Sequence, residues 1–101
     1  MKVLITGAKS AKAFAIAATF THDQVLLADY DEVPKIPFKN YHFISMGSLN
    51  PDTVAHSLLT FCLDHAVNLV VPIYDFEIEA LGKSSTLFEE FNIQINFPNA
   101  F

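Results

Sequence analysis

The first twenty residues constrain the fold of this chain more than any other segment. Lys2 to Thr6 contains three consecutive branched apolar residues, which is typical of a parallel strand covered on both faces. Gly7 permits a sharp turn, and Ala8 to Phe20 is rich in alanine, with almost nothing that would stop a helix. A strand, a glycine turn and a helix are how a doubly wound α/β domain begins, with the helix N-terminus directed at a ligand.

Four more strands and two more helical segments complete the predicted order β-α-β-β-α-β-α-β. The strands are expected over Gln24–Ala28, Tyr41–Ser45, Asn68–Ile73 and Ile93–Phe97. A proline-containing loop is expected over residues 33–40, and Pro98 is expected to end the last strand. Right-handed crossovers then favour a Rossmann-like, three-layer α/β domain with a five-stranded parallel sheet in the order 3-2-1-4-5. We expect one domain over residues 1–101, which is a common domain size.

The second helix is predicted over Pro51–Ala66, with Asn50 as its N-cap. Its apolar residues recur at helical spacing and include Cys62, which we interpret as a packing residue and not as a nucleophile. These stripe residues are Val54, Ala55, Leu58, Leu59, Cys62 and Ala66.

The third helical segment is predicted to begin after Asp75, which is suited to cap it. It should carry its apolar side chains at Ile78, Leu81, Leu87, Phe88 and Phe91. A kink or a division into two short helices is expected at Gly82 and Ser84-Ser85, and Asn92 suits the helix exit.

In such a sheet the ligand crevice lies outside the carboxyl ends of the strands, where the strand order reverses. Here that point lies between the first and fourth strands. Two loops and the end of the second strand should meet there. The candidate ligand-binding residues are therefore Gly7, Ala8, Lys9, Ser10, Asp29, Asp75 and Glu77. No residue is assigned a catalytic role.

The first turn resembles a dinucleotide loop only weakly, because Gly7 is not followed by the second and third glycines of that motif. Asp29 does occupy the position from which an acidic side chain can hold a ribose, although an exposed aspartate is common at strand ends. Carboxylates should outnumber the nearby lysines at this edge of the sheet. An acidic edge of this kind would bind an amine, a divalent cation that bridges to a phosphate, or a basic surface of a partner. In the alternative interpretation, Asp75 and Glu77 bind no ligand and only stabilise the N-terminus of their own helix. The charges counted there are Asp29, Asp31, Glu32, Asp75, Glu77, Lys9, Lys12 and Lys35.

Composition excludes several other classes of protein. The net charge is −5 and the chain has no arginine, which argues against nucleic-acid binding. The four histidines and one cysteine do not follow metal-ligand spacing, so no metal site is predicted. No run of residues is long and apolar enough for a membrane span. Lys9 and Lys12 interrupt the N-terminal apolar stretch, which argues against a secretory signal peptide. The single cysteine cannot form an internal disulfide and fits a reducing compartment, so we expect a cytoplasmic protein.

Several segments together resemble the pre-ATP-grasp domain. They are the opening KVLITGAKS, the strand ending in Asp29, the short strand YHFIS (residues 41–45) with its histidine and phenylalanine, Asn50-Pro51-Asp52, NLVVPIYDFEIEAL (residues 68–81) and FEEFNIQINFP (residues 88–98). This domain is the N-terminal α/β domain of ATP-grasp ligases, including proteins similar to the large subunit of carbamoyl phosphate synthase.

The resemblance implies a module that packs against ATP-grasp domains and contributes to a non-nucleotide substrate pocket. The Gly7 turn, Asp75 and Glu77 would be substrate-side contacts. ATP and magnesium are implied only for a partner domain, so we expect the chain alone to be non-catalytic. Two alternatives stay open: a small Rossmann-type nucleotide- or dinucleotide-binding protein, and a homodimer that covers apolar surface near Phe97 and Phe101.

Overall fold

The computed structural model describes residues 1–33 and 41–97 and contains one five-stranded, all-parallel sheet. The sheet order is β3-β2-β1-β4-β5, as predicted. Its strands are β1 (Lys2–Ile5), β2 (Gln24–Asp29), β3 (Tyr41–Ser45), β4 (Leu69–Val71) and β5 (Gln94–Ile95). The helices are α1 (Ala11–Ala17), α2 (Val54–Asp64), α3 (Asp75–Lys83) and α4 (Ser85–Glu90), and a 3₁₀ turn over Pro51–Thr53 leads into α2.

The sheet separates two apolar clusters and so forms the middle of three layers. Alternate residues of β1 point to opposite faces: Leu4 packs in one cluster, and Val3 and Ile5 pack in the other. Buried residues of α2, α3 and α4 cover the Leu4 face, whereas α1 covers the opposite face with Ala13, Ile16 and Ala17. The Rossmann-like α/β architecture predicted from the sequence is confirmed.

The first helix is shorter than the predicted span of Ala8 to Phe20. The Ser10 amide donates to the Gly7 carbonyl at 2.8 Å, which closes a turn before the helix begins. Ser10 is the N-cap of α1, and its hydroxyl accepts from the Ala13 amide at 3.4 Å. The residues after Ala17 form turns in place of a further helical turn.

The predicted second helix, Pro51–Ala66, begins with a 3₁₀ turn over Pro51–Thr53, continues as α2 from Val54 and ends at Asp64, earlier than predicted. Asn50 caps the 3₁₀ turn by accepting from the Asp52 amide at 3.1 Å, and Val54, Leu58, Leu59 and Cys62 are buried. Ala66 was predicted to share this stripe, and this was wrong. It has a φ of 55°, outside the helical region, because the chain turns there towards β4.

The expected break near Gly82 is confirmed, since α3 ends at Lys83 and α4 begins at Ser85. Asn92 has a φ of 60°, as suits a residue at a helix exit. Of the apolar residues predicted for this helical segment, Leu81 and Phe88 are buried, Ile78 is half-buried, and Leu87 and Phe91 are exposed. Strand β5 is shorter than the predicted Ile93–Phe97. The predictions for residues 34–40, Pro98 and Phe101 fall outside the described residues.

Within the described part of the chain, no helix combines the length and apolar character needed to cross a membrane.

Candidate functional site

The turn after β1 and the loop before α3 lie side by side at the carboxyl edge of the sheet, as predicted. The Thr6 amide donates to the Val71 carbonyl at 3.1 Å, which extends the contact between β1 and β4. Gly7 follows with a φ of +71°, and a Cβ atom there would lie 2.9 Å from the Cβ of Ile73. The glycine therefore provides both the left-handed turn and the close approach of the two loops.

Glu77 is fully buried beneath these loops and is held by groups from three parts of the chain. Its Oε1 atom accepts from the Thr6 hydroxyl at 2.5 Å and from the Tyr74 amide at 3.3 Å. Its Oε2 atom accepts from the Tyr30 hydroxyl at 2.7 Å. Thr6 itself accepts from the Ile73 amide at 2.8 Å. Glu77 thus joins the ends of β1, β2 and β4.

Asp29 forms a second buried carboxylate centre at the end of β2 and is only 2% exposed. It accepts from the Lys9 amide at 3.0 Å and from the Tyr30 amide at 2.8 Å. The Tyr74 hydroxyl lies 2.9 Å from Oδ1 and 2.8 Å from Oδ2. This carboxylate therefore anchors the first turn and the β4–α3 loop to β2.

Protonation at this site follows from burial and from the two adjacent carboxylates. Burial raises the pKa of Glu77, and the three donors around its oxygens limit that rise. Burial and the neighbouring Glu77 carboxylate raise the pKa of Tyr30. Burial and the hydrogen bond to Asp29 raise the pKa of Tyr74 to about 12. Both phenols are therefore neutral hydrogen-bond donors at physiological pH.

Three aromatic rings lie against each other over this network. The Tyr74 and Phe76 rings are stacked with centroids 5.4 Å apart, and Tyr30 lies 6.3 Å from Tyr74 and 5.9 Å from Phe76. Phe76 is 39% exposed. The rings form an apolar rim above the buried carboxylates.

The amides of the first turn bind groups of the chain itself. The Ala8 amide donates to the Ala28 carbonyl at 3.0 Å, the Lys9 amide donates to Asp29, and the Ser10 amide donates to Gly7. A phosphate cradle needs such amides to point at a ligand. The Lys9 ammonium also contacts the chain, donating to the Tyr30 carbonyl at 2.7 Å.

The predicted acidic edge differs from expectation in two respects. Asp29 and Glu77 are buried and do not contribute exposed charge, because tyrosine hydroxyls and amides from neighbouring loops enclose them. Asp75 was expected to cap α3, but Tyr74 occupies the N-cap position and Asp75 is the first helical residue, exposed to solvent. Asp31 and Glu32 are exposed, as is Lys12 on α1, and Lys35 lies outside the described residues.

Sequence reasoning brought together the correct loops but missed Thr6, Tyr30 and Tyr74. Each of these residues directly adjoins a predicted site residue or loop: Thr6 precedes Gly7, Tyr30 follows Asp29, and Tyr74 precedes Asp75. Hydroxyl groups next to carboxylates at one sheet edge are the signal that could have identified them, because a buried carboxylate requires donors.

The remaining chemical candidates do not form a second centre. Cys62 is buried, and desolvation raises the pKa of its thiol to about 12, in agreement with the predicted packing role. Within residues 1–33 and 41–97, no three His, Cys, Asp or Glu side chains converge in a way that could hold a metal ion.

No protein-family model matches this sequence, and no curated protein matches it significantly.

Proposed function

We propose that this chain is a non-catalytic pre-ATP-grasp module. It serves on the substrate side, or as the partner-binding unit, of an ATP-grasp ligase system similar to carbamoyl phosphate synthase. The sequence segments that resemble the pre-ATP-grasp domain support this proposal, and two of them supply the loops that meet at the carboxyl edge of the sheet. The single buried cysteine and the need for ATP in such a system favour the cytoplasm.

The observation that carries the proposal is the hydrogen bond from the Lys9 amide to Asp29. An amide at the first turn of a doubly wound fold commonly faces a phosphate. Here a buried carboxylate of the same chain takes that place, and a bound phosphate would meet its negative charge. This arrangement favours a module that presents a stiff surface to a partner or to a non-nucleotide substrate.

The four charged candidate residues then divide into two groups with different roles. Asp29 and Glu77 hold the loops together from beneath, since both are buried and hydrogen-bonded. Lys9 and Asp75 are exposed at the same edge, so they are the residues able to touch a substrate or a partner. Gly7 sets the distance between the two loops.

Calorimetric titration distinguishes this proposal from a small Rossmann-type nucleotide-binding protein. The purified chain should give no binding heat with NAD(H), NADP(H) or magnesium–ATP. It should also show no turnover when ATP is supplied with small carboxylates or amines. Tight binding of a nicotinamide dinucleotide would refute the proposal and favour the nucleotide-binding alternative.

A second test addresses the partner directly. An ATP-grasp coding region adjacent to, or continuous with, the one for this chain would identify the ligase component. The purified component should hydrolyse ATP differently when this chain is added. Asp75→Lys should weaken that effect, whereas Glu89→Lys makes the same charge change at the end of α4, near the opposite edge of the sheet, and should not. Equal effects of the two variants would contradict a role for the carboxyl edge.

A further inference from the structure

Tyr30 and Tyr74 bind the two buried carboxylates in a crossed pattern. The Tyr30 amide donates to Asp29 at 2.8 Å, and its hydroxyl donates to Glu77 at 2.7 Å. The Tyr74 amide donates to Glu77 at 3.3 Å, and its hydroxyl lies 2.9 and 2.8 Å from the two Asp29 oxygens. Each tyrosine thus bonds to one carboxylate through its backbone and to the other through its side chain. The four residues form a closed cycle of hydrogen bonds.

The two hydroxyl bonds of this cycle connect different parts of the fold. Asp29 and Tyr30 lie at the carboxyl end of β2, whereas Tyr74 and Glu77 lie at the N-terminus of α3. The two amide bonds stay within these segments. Movement of the β4–α3 loop away from β2 would therefore break both hydroxyl bonds, and each buried carboxylate would lose a donor. A buried polar group that loses a partner costs free energy, so opening at one tyrosine alone is disfavoured.

The aromatic rings of the two tyrosines also pack together. Their centroids are 6.3 Å apart, and the Phe76 ring lies 5.9 Å from Tyr30 and 5.4 Å from Tyr74. Aromatic pairs at such distances stabilise each other beyond the area that they bury. If one phenol left the cluster, the other would lose a packing partner as well. Hydrogen bonding and packing therefore link the same two segments.

Each carboxylate also holds a backbone amide at the edge of the sheet. Asp29 accepts from the Lys9 amide at 3.0 Å, in the turn before α1. Glu77 accepts from the Thr6 hydroxyl, which itself accepts from the Ile73 amide at 2.8 Å, in the loop after β4. The Lys9 amide therefore reports on the Asp29 side of the cycle, and the Ile73 amide reports on the Glu77 side.

We propose that Tyr30 and Tyr74 form a single clamp, so that the β1–α1 turn and the β4–α3 loop open and close as one unit. Lys9 lies in the first of these loops, and Asp75 and Phe76 directly follow the second. A ligand or partner that contacts either loop would thereby position both. The coupling is a property of the chain alone and applies to any ligand of this edge.

Amide hydrogen exchange of the complete chain, measured residue by residue by NMR, tests the clamp. In the unchanged protein, the opening constants of the Lys9 and Ile73 amides should agree within about threefold. Both should exceed that of the Leu4 amide in the central strand. Tyr30→Phe removes a donor from Glu77 only, and Tyr74→Phe removes a donor from Asp29 only. Each variant should nevertheless accelerate the exchange of both amides, by about tenfold.

Tyr41→Phe is the matched control, because it removes the hydroxyl of a tyrosine at the start of β3, near the opposite edge of the sheet. It should leave the exchange of both amides unchanged relative to the Leu4 amide.

The proposal is overturned if Tyr30→Phe accelerates only the Ile73 amide and Tyr74→Phe only the Lys9 amide, since the two hydroxyl bonds would then act independently. It is also overturned if both amides exchange no faster than the Leu4 amide in the unchanged protein, because the edge would then open only with the whole domain. An equal effect of Tyr41→Phe would likewise contradict it.

Discussion

The Thr6 hydroxyl donates a hydrogen bond to the Glu77 carboxylate across 71 residues of sequence. Both side chains are fully buried, and Thr6 also accepts the Ile73 amide at 2.8 Å. One small hydroxyl therefore connects the end of β1 to the loop after β4 and to the first turn of α3. These contacts fix the positions of the two loops between β1 and β4, where the strand order of the sheet reverses.

Replacing Thr6 by valine keeps the side-chain shape and removes the hydroxyl. The partly buried Ile73 amide would lose its acceptor, and the fully buried Glu77 would lose a donor. We expect the free energy of unfolding to fall by about 2–4 kcal/mol. Urea unfolding measures this change. Thr86→Val makes the same chemical change at an exposed position of α4 and should alter stability by no more than about 0.5 kcal/mol. Equal losses in the two variants would contradict the structural role of Thr6.

Gly7→Ala tests the close approach of the two loops. The alanine would have to adopt a φ near +71°, and its Cβ would lie 2.9 Å from the Cβ of Ile73. Gly47→Ala is the matched control, because Gly47 has a φ of +78° with nothing within 4 Å of an added Cβ. The backbone cost alone is about 1–2 kcal/mol, so Gly47→Ala should lose that amount and Gly7→Ala clearly more. Thermal or urea unfolding of both variants would decide, and a loss at position 7 no larger than at position 47 would exclude the steric contribution.

The topology could be predicted from the sequence because local patterns specified each element. Apolar runs bounded by Gly, Pro and Asp gave the strands, and the connections between them restricted the sheet to one favoured order. Element ends were less predictable. The helix after Gly7 started late because Ser10 forms both a turn and a cap, and the helix before β4 ended before Ala66 because the chain needed a left-handed residue there.

The site was predicted only at the level of loops. Topology places Lys9, Asp29 and Glu77 at one edge, but it does not say whether a side chain faces solvent or the core. Burial of Asp29 and Glu77 depends on hydroxyl donors from Tyr74 and Tyr30, which are 45 and 47 residues away from their acceptors in sequence. Because the partners lie so far apart in the chain, their contacts produce no local periodic pattern from which the sequence alone could predict them.

The Cys62 thiol should be unreactive in the folded protein. Cys62 lies on the buried face of α2, and its pKa of about 12 leaves little thiolate at neutral pH. Alkylation by a small maleimide, followed by mass spectrometry, should therefore be slow under native conditions and fast in denaturant. Rapid labelling of the native protein would contradict the packing role of this residue.

Glu77 should make the folded state less stable as pH rises. Its pKa is above the ordinary value of 4.5, so the folded protein retains a proton that the unfolded chain has already lost. The stabilisation by the protonated form is complete below pH 4.5 and is lost as pH rises through the folded pKa, at up to about 1.4 kcal/mol per pH unit.

Glu77→Gln should remove this slope from plots of unfolding free energy against pH. Glu89→Gln makes the same change at an exposed position and should keep the slope. A wild-type slope that survives in Glu77→Gln would assign the effect to another group.

The two hydroxyl donors predict a loss of stability at alkaline pH. The pKa of Tyr74 is about 12 and that of Tyr30 is also raised, whereas an ordinary tyrosine titrates at 10.0. Their contribution is complete below pH 10.0 and declines as pH rises through the folded pKa values, because the unfolded chain loses these protons first. The ultraviolet absorbance of tyrosinate should rise late in the folded protein, and urea unfolding should show the free energy falling above pH 10.0. Tyr74→Phe should make that decline shallower. Normal ionisation of Tyr30 and Tyr74 near pH 10.0 in the folded protein would show that their hydroxyls do not bind the two buried carboxylates.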